Sequence, residues 1–432
     1  MGNYRIDTRC VQSGYDPKNG EPRVPSIVQS TTFRYDSCDE MGRMFDLEGD
    51  GFFYTRIANP TASHVEAKIA DLEGGGAAML TASGQAAVLL AVLNLCKAGD
   101  HIVSTSALYG GTYNTFSRTL PSMGIEVTFL DAGCSDEALE AAFRDNTKLV
   151  YGEMLSNPTL VVLDIGRFAD AAHAHGVPLI VDNTFPTPIL CRPFRFGADI
   201  VLHSTSKYMD GHARALGGVI VEKADPSPAG AFHWKNGNFP GLSEPDDSYH
   251  GVVFADHFKD SAYIAKARLH LMRDLGPSPA PFNAFLLHMG LETLALRMER
   301  HVSNATRVAN WLERSPDVSW VNYPGLASSP QHALALRYLP DGASGVVSFG
   351  VAGGRDAAIR FMDALRLAGI VTHVADARTS VIHPASTTHR QLDDEALALT
   401  GVGADMIRLS VGIEHPDDIL EDLSQALIAA RI

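Results

Sequence analysis

Six short runs along the chain are dominated by aliphatic and β-branched residues: HIVST at 101–105, EVTFLD at 126–131, KLVYGEML at 148–155, PLIVDN at 178–183, DIVLHST at 199–205 and LGGVIVE at 216–222. Between most of them lie stretches with the apolar spacing of a helix, SGQAAVLLAVLNLC at 83–96, SDEALEAAFRD at 135–145 and DIGRFADAAHAHG at 164–176. A strand that meets solvent on one side alternates apolar and polar side chains; a strand buried on both faces does not. Short apolar strands separated by helices therefore predict an α/β fold with a mostly parallel central sheet flanked by helices.

Two regions depart from this alternation. The first sixty or so residues, from SGYDPKNGEPRVP to FFYTRIANPT, are rich in Pro, Gly, Thr and aromatics and show little periodicity. Such a segment wraps over another surface more readily than it builds a core, so 1–62 are expected to form an N-terminal arm. At 223–251, KADPSPAGAFHWKNGNFPGLSEPDDSYHG interrupts the pattern as a long irregular excursion, a kind of loop that tends to be functional or interfacial. Helical spacing resumes in YIAKARLHLMRDLG (263–276) and in one long stretch, NAFLLHMGLETLALRMERHVSNATRVANWLER (283–314), before mixed strands and helices to the end. The expected division is the arm, a sheet-containing domain over 63–276 and a smaller α+β domain over 277–432.

At 432 residues the chain is too long for one simple core, and its 45% hydrophobic and 20% charged residues are ordinary globular values. A formal net charge of -15 repels a phosphate backbone, which sets nucleic acid aside as a partner. Five scattered cysteines with no CxxC fit a reducing compartment and argue against a disulfide framework or a structural zinc site. His173 and His175 stand two apart on an expected helix and cannot share a face, so no metal is expected there. The start MGNYRIDTRC has no apolar run suited to a signal peptide, and Ile6 stands where a myristoylation motif needs Ser or Thr. The longest apolar stretch, around Ala86 to Cys96, is too short for a bilayer, so a cytoplasmic chain with no membrane partner is expected.

In open α/β sheets, ligands gather beyond the carboxyl ends of the strands. Three such ends carry polar groups here: Glu153 and Asn157, Asp182 and Asn183, and Ser204, Ser206 and Lys207. Asp182 closes a run of Leu, Ile and Val, so it either caps a turn or sits partly buried and in want of a cation. Lys207 alone reads as a solvated charge. Together the two suggest what pyridoxal phosphate requires, a lysine to bind its aldehyde as a Schiff base and a carboxylate facing its pyridine nitrogen.

The phosphate of such a cofactor needs an anion site. TASGQ at 81–85 leads directly into an apolar helix with Ser83 as its N-cap, which is either an ordinary cap or a cradle in which Gly84 allows close approach. Ser204 and Ser206 could add hydroxyl donors. Tyr109, in ALYGGT, either stacks on an aromatic cofactor or lies on a surface turn. Arg408, inside the otherwise apolar MIRLSVGIE, needs a facing carboxylate, either a structural Asp or Glu or that of a substrate. Neither GxxxxGK[ST], a strand-following GxGxxG nor GxSxG is present.

In their order, YTRIANPT (54–61), TASGQAA (81–87), ALYGGTY (107–113), SNPT (156–159), VDNTF (181–185), HSTSKYMDGH (203–212), HPASTTH (383–389) and IRLSVGIE (407–414) resemble the Cys/Met-metabolism family of pyridoxal-phosphate enzymes over nearly the whole chain. The resemblance implies a fold-type I domain around the cofactor, a smaller C-terminal domain, and a homotetramer of two tight dimers. It implies that Lys207 is the Schiff-base lysine, Asp182 the partner of the pyridine nitrogen, and Tyr109 a ring-stacking residue that also transfers protons. Asn157 would bond the cofactor's phenolic oxygen or nearby groups, and Ser83, Gly84, Gln85, Ser204 and Ser206 would hold the phosphate. Tyr54 and Arg56 would reach that phosphate from the adjacent subunit, with Tyr54 also near the substrate, so the active site would exist only in the dimer. Arg408 would bind the substrate's α-carboxylate.

Within the family, the excursion with FPGLSEPDDSYHG is similar to that of the O-acetylhomoserine sulfhydrylases and is generally missing from methionine γ-lyases. Those lyases also tend to carry cysteine where this chain has Gly111. The resemblance thus implies replacement of the acetyl group of O-acetyl-L-homoserine by sulfide or methanethiol, giving L-homocysteine or methionine and acetate. The alternatives are a methionine or homocysteine γ-lyase and a cystathionine γ-synthase. Two departures from the family pattern stand out. His373 to Arg378 (HVADAR) replaces an Asn-x-Gly-Asp-Ala-Lys stretch, and Arg214 stands where small or hydroxyl residues are common. His373 is accordingly expected near the substrate.

Overall fold

The apolar runs assemble into one seven-stranded sheet: β1 (Gly75–Thr81), β2 (His101–Thr105), β3 (Glu126–Leu130), β4 (Thr147–Glu153), β5 (Leu179–Asp182), β6 (Ile200–His203) and β7 (Gly218–Lys223). The structure is a computed structural model that describes residues 4–49, 51–224, 232–387, 390 and 402–431. The strands lie in the order β1-β7-β6-β5-β4-β2-β3, and all run parallel except β7, which is antiparallel to both its neighbours. Strand β1 is the one that the hydrophobic pattern does not announce, because GGAAMLT has no β-branched residue before Thr81. Its small residues answer to close packing instead. A Cβ on Gly75 would lie 2.6 Å from the Glu222 carbonyl oxygen, and one on Gly76 would lie 2.6 Å from that of Asp260.

Helices cover both faces and give each its own core. Helix α1 (Ile6–Gln12) packs beside α2 (Pro60–Glu73), which Asn59 caps by accepting from the Thr61 N–H at 2.9 Å and which ends at Gly74 in the left-handed region, φ 82°. The buried Lys68 of α2 donates to the carbonyls of Cys10 (2.8 Å) and Val11 (3.3 Å) and so ties down the end of α1. Helix α3 (Gly84–Leu93) lies on the opposite face, and α4 (Ile165–Ala174) returns to the first. His173 and His175 diverge, as their spacing requires: one bonds Asp199 at 2.8 Å and the other Glu140 at 2.9 Å.

The excursion is more ordered than its composition suggests. Its residues 225–231 lie outside the described residues, but the remainder makes a helical turn at Pro240–Ser243 and buries Trp234, Phe239, Leu242 and Tyr249 in the core beneath α3. The stretch 283–314 is two helices and not one, α5 (Pro281–Glu292) and α6 (Leu294–Glu313), meeting at Thr293. Arg297 sits at the join. It donates to the Gly290 carbonyl (2.6 Å) and to the Tyr208 carbonyl (2.6 Å), so the break points a buried guanidinium at the loop after β6.

A second, mostly antiparallel sheet follows, in the order β10-β11-β12-β9-β8, from β8 (Val318–Asn322), β9 (Val346–Val351), β10 (Gly369–Ile370), β11 (Ser380–Ile382) and β12 (Met406–Ser410). Helices α7 (Gly354–Ala364) and α8 (Pro416–Ala430) pack with it. Thr388 and His389 of the HPASTTH motif lie outside the described residues. The segment between α1 and α2 carries Val24, Ile27, Phe45 and Tyr54 exposed on one chain. Among the described residues no helix is long and apolar enough to cross a membrane.

Candidate active site

A cavity of about 630 Å3 opens beyond the ends of β4, β5 and β6 and is closed on one side by the second sheet. Lys207 lies in its wall, four residues after the end of the last strand. The turn that carries it is held by the Lys207 N–H donating to the Ser204 carbonyl (3.3 Å) and the Gly211 N–H donating to the Lys207 carbonyl (2.8 Å). Burial, reinforced by the Arg408 guanidinium and opposed by Asp376, pulls the Lys207 ammonium down to a pKa of about 8. The lysine is therefore an enclosed amine rather than a solvated edge charge.

Ser83 caps α3, its hydroxyl accepting from the Ala86 N–H at 3.1 Å, and the first-turn N–H groups of Gly84 and Gln85 lie outside the helical ladder. A Cβ on Gly84 would fall 2.6 Å from that of Ser204, so only glycine lets the two segments meet. The Ser206 hydroxyl is engaged in both directions by Gly217, accepting from its N–H at 2.9 Å and donating to its carbonyl at 3.2 Å. Ser206 thus lines the cavity with its hydroxyl already committed.

Asp182 satisfies both of its readings. One oxygen caps the turn by accepting from the Thr184 N–H at 2.9 Å, and the carboxyl also lines the cavity. Glu153 stands beside it in parallel register and accepts from the Tyr109 N–H at 2.6 Å. Burial, and then Asp182, pushes Glu153 well above the carboxylate range; burial raises Asp182 as well, opposed by its bonds to Thr184 and by His203. The Tyr109 ring passes over Gly111, where a Cβ would lie 2.5 Å from its Cε1.

Arg408 reaches in from β12. Its Nη1 donates to Asn157 Oδ1 (3.1 Å) and its Nη2 to the carbonyls of Thr372 (3.2 Å) and His373 (3.3 Å), while the buried Nε has no partner. Among the described residues no carboxylate pairs with it, and burial draws its pKa down to about 10. His373 also lines the cavity, with Nδ1 3.4 Å from Lys207 Nζ.

All the expected site residues therefore meet in one cavity except Tyr54 and Arg56. Within one chain the Arg56 guanidinium lies 5.2 Å over the Tyr54 ring and donates to the Arg273 carbonyl, away from the cavity. Two contributors escape reading from the sequence as site residues, Thr184, whose N–H bonds Asp182, and Asp376 behind His373, while Glu153, read only as a polar strand end, stands beside Asp182 and bonds Tyr109. Glu153 had a signal, since it ends the strand next to that of Asp182.

Residues 7–428 match the family described as Cys/Met metabolism PLP-dependent enzyme. The chain is 47% identical over 429 residues to the homocysteine synthase of Schizosaccharomyces pombe, covering 98% of each. It is 43% identical to the O-acetyl-L-homoserine sulfhydrylase of Leptospira meyeri, covering 98% of this chain and 97% of that one. A solved structure of a Campylobacter jejuni protein described as an O-acetylhomoserine (thiol)-lyase superposes with a TM-score of 0.93 at 37% identity, over 98% of this chain and 100% of that one, and carries N′-pyridoxyl-lysine-5′-monophosphate.

Proposed function

Because the chain belongs to the Cys/Met metabolism PLP-dependent enzymes, we propose that it replaces the acetyl group of O-acetyl-L-homoserine by sulfide, releasing L-homocysteine and acetate. The observation that carries this reading is a single cavity holding a desolvated lysine, a buried carboxylate, a capped helix start and a guanidinium without a carboxylate partner among the described residues.

These groups fit pyridoxal phosphate. Lys207 Nζ would hold its aldehyde carbon, Asp182 its ring nitrogen and the Tyr109 ring its face. Ser83, Gly84, Gln85 and Ser204 would take its phosphate at the start of α3, where the N–H groups and the helix dipole favour an anion. Ser206 would shape this seat through its tie to Gly217 and not through a free hydroxyl. When bound, the cofactor supplies an electron sink for charge left on substrate carbon.

The chain's own groups then divide the work. Arg408, aimed by Asn157, receives the substrate's α-carboxylate with its planar fork. Lys207 Nζ, with a pKa of about 8, is neutral in a useful fraction near pH 7 and can take the α-proton. Tyr109 is placed to move a further proton, and Gly111 leaves its ring room. Acetate departs from Cγ and sulfide takes its place. In this reading the protein is a cytoplasmic homotetramer of two dimers, with Tyr54 and Arg56 reaching the phosphate seat of a neighbouring subunit.

The deciding experiment supplies cofactor-loaded protein with O-acetyl-L-homoserine, with and without sulfide, and follows homocysteine and 2-oxobutyrate together. Sulfide-dependent homocysteine is the expected result. Predominant 2-oxobutyrate in the presence of sulfide would show elimination instead and sink the replacement reading.

A further inference from the structure

His373 occupies a place in the cavity that the chemistry above does not use. Its Nδ1 is 3.4 Å from Lys207 Nζ, and its Nε2 is 3.7 Å from Asp376 Oδ2. Nε2 is sealed from solvent without a hydrogen-bond partner. These contacts select one tautomer. A lysine donor needs an acceptor, so Nδ1 carries the lone pair and the proton of the neutral ring sits on Nε2, on the Asp376 side. Both ends are anchored: the His373 carbonyl accepts from Arg408 Nη2 at 3.3 Å, and Asp376 Oδ1 accepts from the Arg378 N–H at 2.7 Å.

We propose that His373 is the proton partner of Lys207, taking a proton from Nζ onto Nδ1 and returning it. In the forward step the Nδ1 lone pair forms the new N–H bond and the electrons of the broken bond stay on Nζ. The products are a neutral amine and an imidazolium backed by Asp376. The proposal rests on the reading of Lys207 as the proton-moving amine. Around the ring, Lys207 and Arg408 oppose its charging, whereas Asp376 and Asp210 favour it. Burial first, and then Lys207, lowers the imidazole pKa, so the ring rests neutral with its Nδ1 lone pair toward Nζ, and the imidazolium forms only transiently before the proton is returned. An amide side chain here could accept the same hydrogen bond but could not carry the proton.

Two measurements test this. In the full-length, cofactor-free chain, the ring-nitrogen NMR signal that disappears in His373→Asn should titrate at higher pH in Lys207→Met, because the neighbouring ammonium is gone. An unchanged titration would overturn the contact itself. In the loaded protein, exchange of the α-hydrogen of L-alanine with D2O should slow by about a hundredfold in His373→Ala and His373→Asn, in the range for loss of a positioned acid–base group. The imine absorbance should persist in both variants, and added imidazole should restore exchange in His373→Ala. Undiminished exchange, or slowing that imidazole does not relieve, would overturn the role. If Lys207→Ala kept the imine absorbance, the assignment of Lys207 would fail first, whatever His373 did.

Discussion

A single absent methyl decides where the Tyr109 ring lies. Any side chain at Gly111 would meet Cε1 of that ring at 2.5 Å, so the ring position and the glycine are one choice. Arg408 shows the complementary case, a large group left incompletely matched. Its guanidinium bonds only neutral oxygens, which compensates poorly for its burial and leaves the Nε N–H and the charge unmatched for an incoming carboxylate. Replacing it by lysine keeps the charge and removes the fork. Arg408→Lys should therefore raise KM for O-acetyl-L-homoserine by roughly ten- to a hundredfold, the worth of one or two charge-assisted hydrogen bonds. Steady-state kinetics decide the matter, and an unchanged KM would reassign Arg408 to structure. Asp182 stood out in the sequence because it ends an aliphatic run, where a charge is conspicuous, and Lys207, a few residues past the next such run, stood out only beside it. The commitment of the Ser206 hydroxyl to Gly217 was not, since it depends on how the loop doubles back.

At the scale of elements, strands declared themselves where both faces are covered and failed to do so where backbones crowd. The six aliphatic runs became β2 to β7, whereas β1 hid behind glycines and alanines required by the proximity of Glu222 and Asp260. The break between α5 and α6 was equally invisible, because its partner, the turn after Lys207, is far away in sequence. The excursion misled in the other direction: its Gly and Pro content hid four aromatic and aliphatic anchors. Lys68 offers a test of how elements are joined, since its ammonium serves the last carbonyls of α1. Lys68→Met should loosen α1 by about 1–3 kcal/mol, the cost of losing charge-assisted bonds at a helix end. Hydrogen exchange over 6–12 should accelerate while the imine absorbance stays as in the wild type; protection that does not change would show that apolar packing alone holds α1.

For the whole molecule, the segment between α1 and α2 is the unfinished part of a single chain. It exposes Val24, Ile27, Phe45 and Tyr54 and keeps Tyr54 and Arg56 outside the chain's own cavity. If these two residues serve a neighbour, inactive chains should mend one another. Co-expressed Lys207→Ala and Tyr54→Ala chains should form mixed dimers in which one site has both intact parts, with sulfhydrylase activity well above that of either variant alone. Activity no greater than the sum of the parents would confine each site to its own chain.

The antiparallel strand β7 carries a consequence for how the protein is made. The start of α3 and the loop of Lys207 follow β1 and β6, which β7 separates, and Gly218 at the beginning of β7 presses so close to Ser83 that a Cβ would lie 2.3 Å from its carbonyl oxygen. On the ribosome most of the wall, from Ser83 to Ser206, therefore emerges before the amine, whereas β7 follows it and the strand bearing Arg408 comes much later. A chain that stalls short of that strand would hold the amine and most of its wall but lack the Arg408 guanidinium, so the seat for a carboxylate is the last part of the cavity to be made.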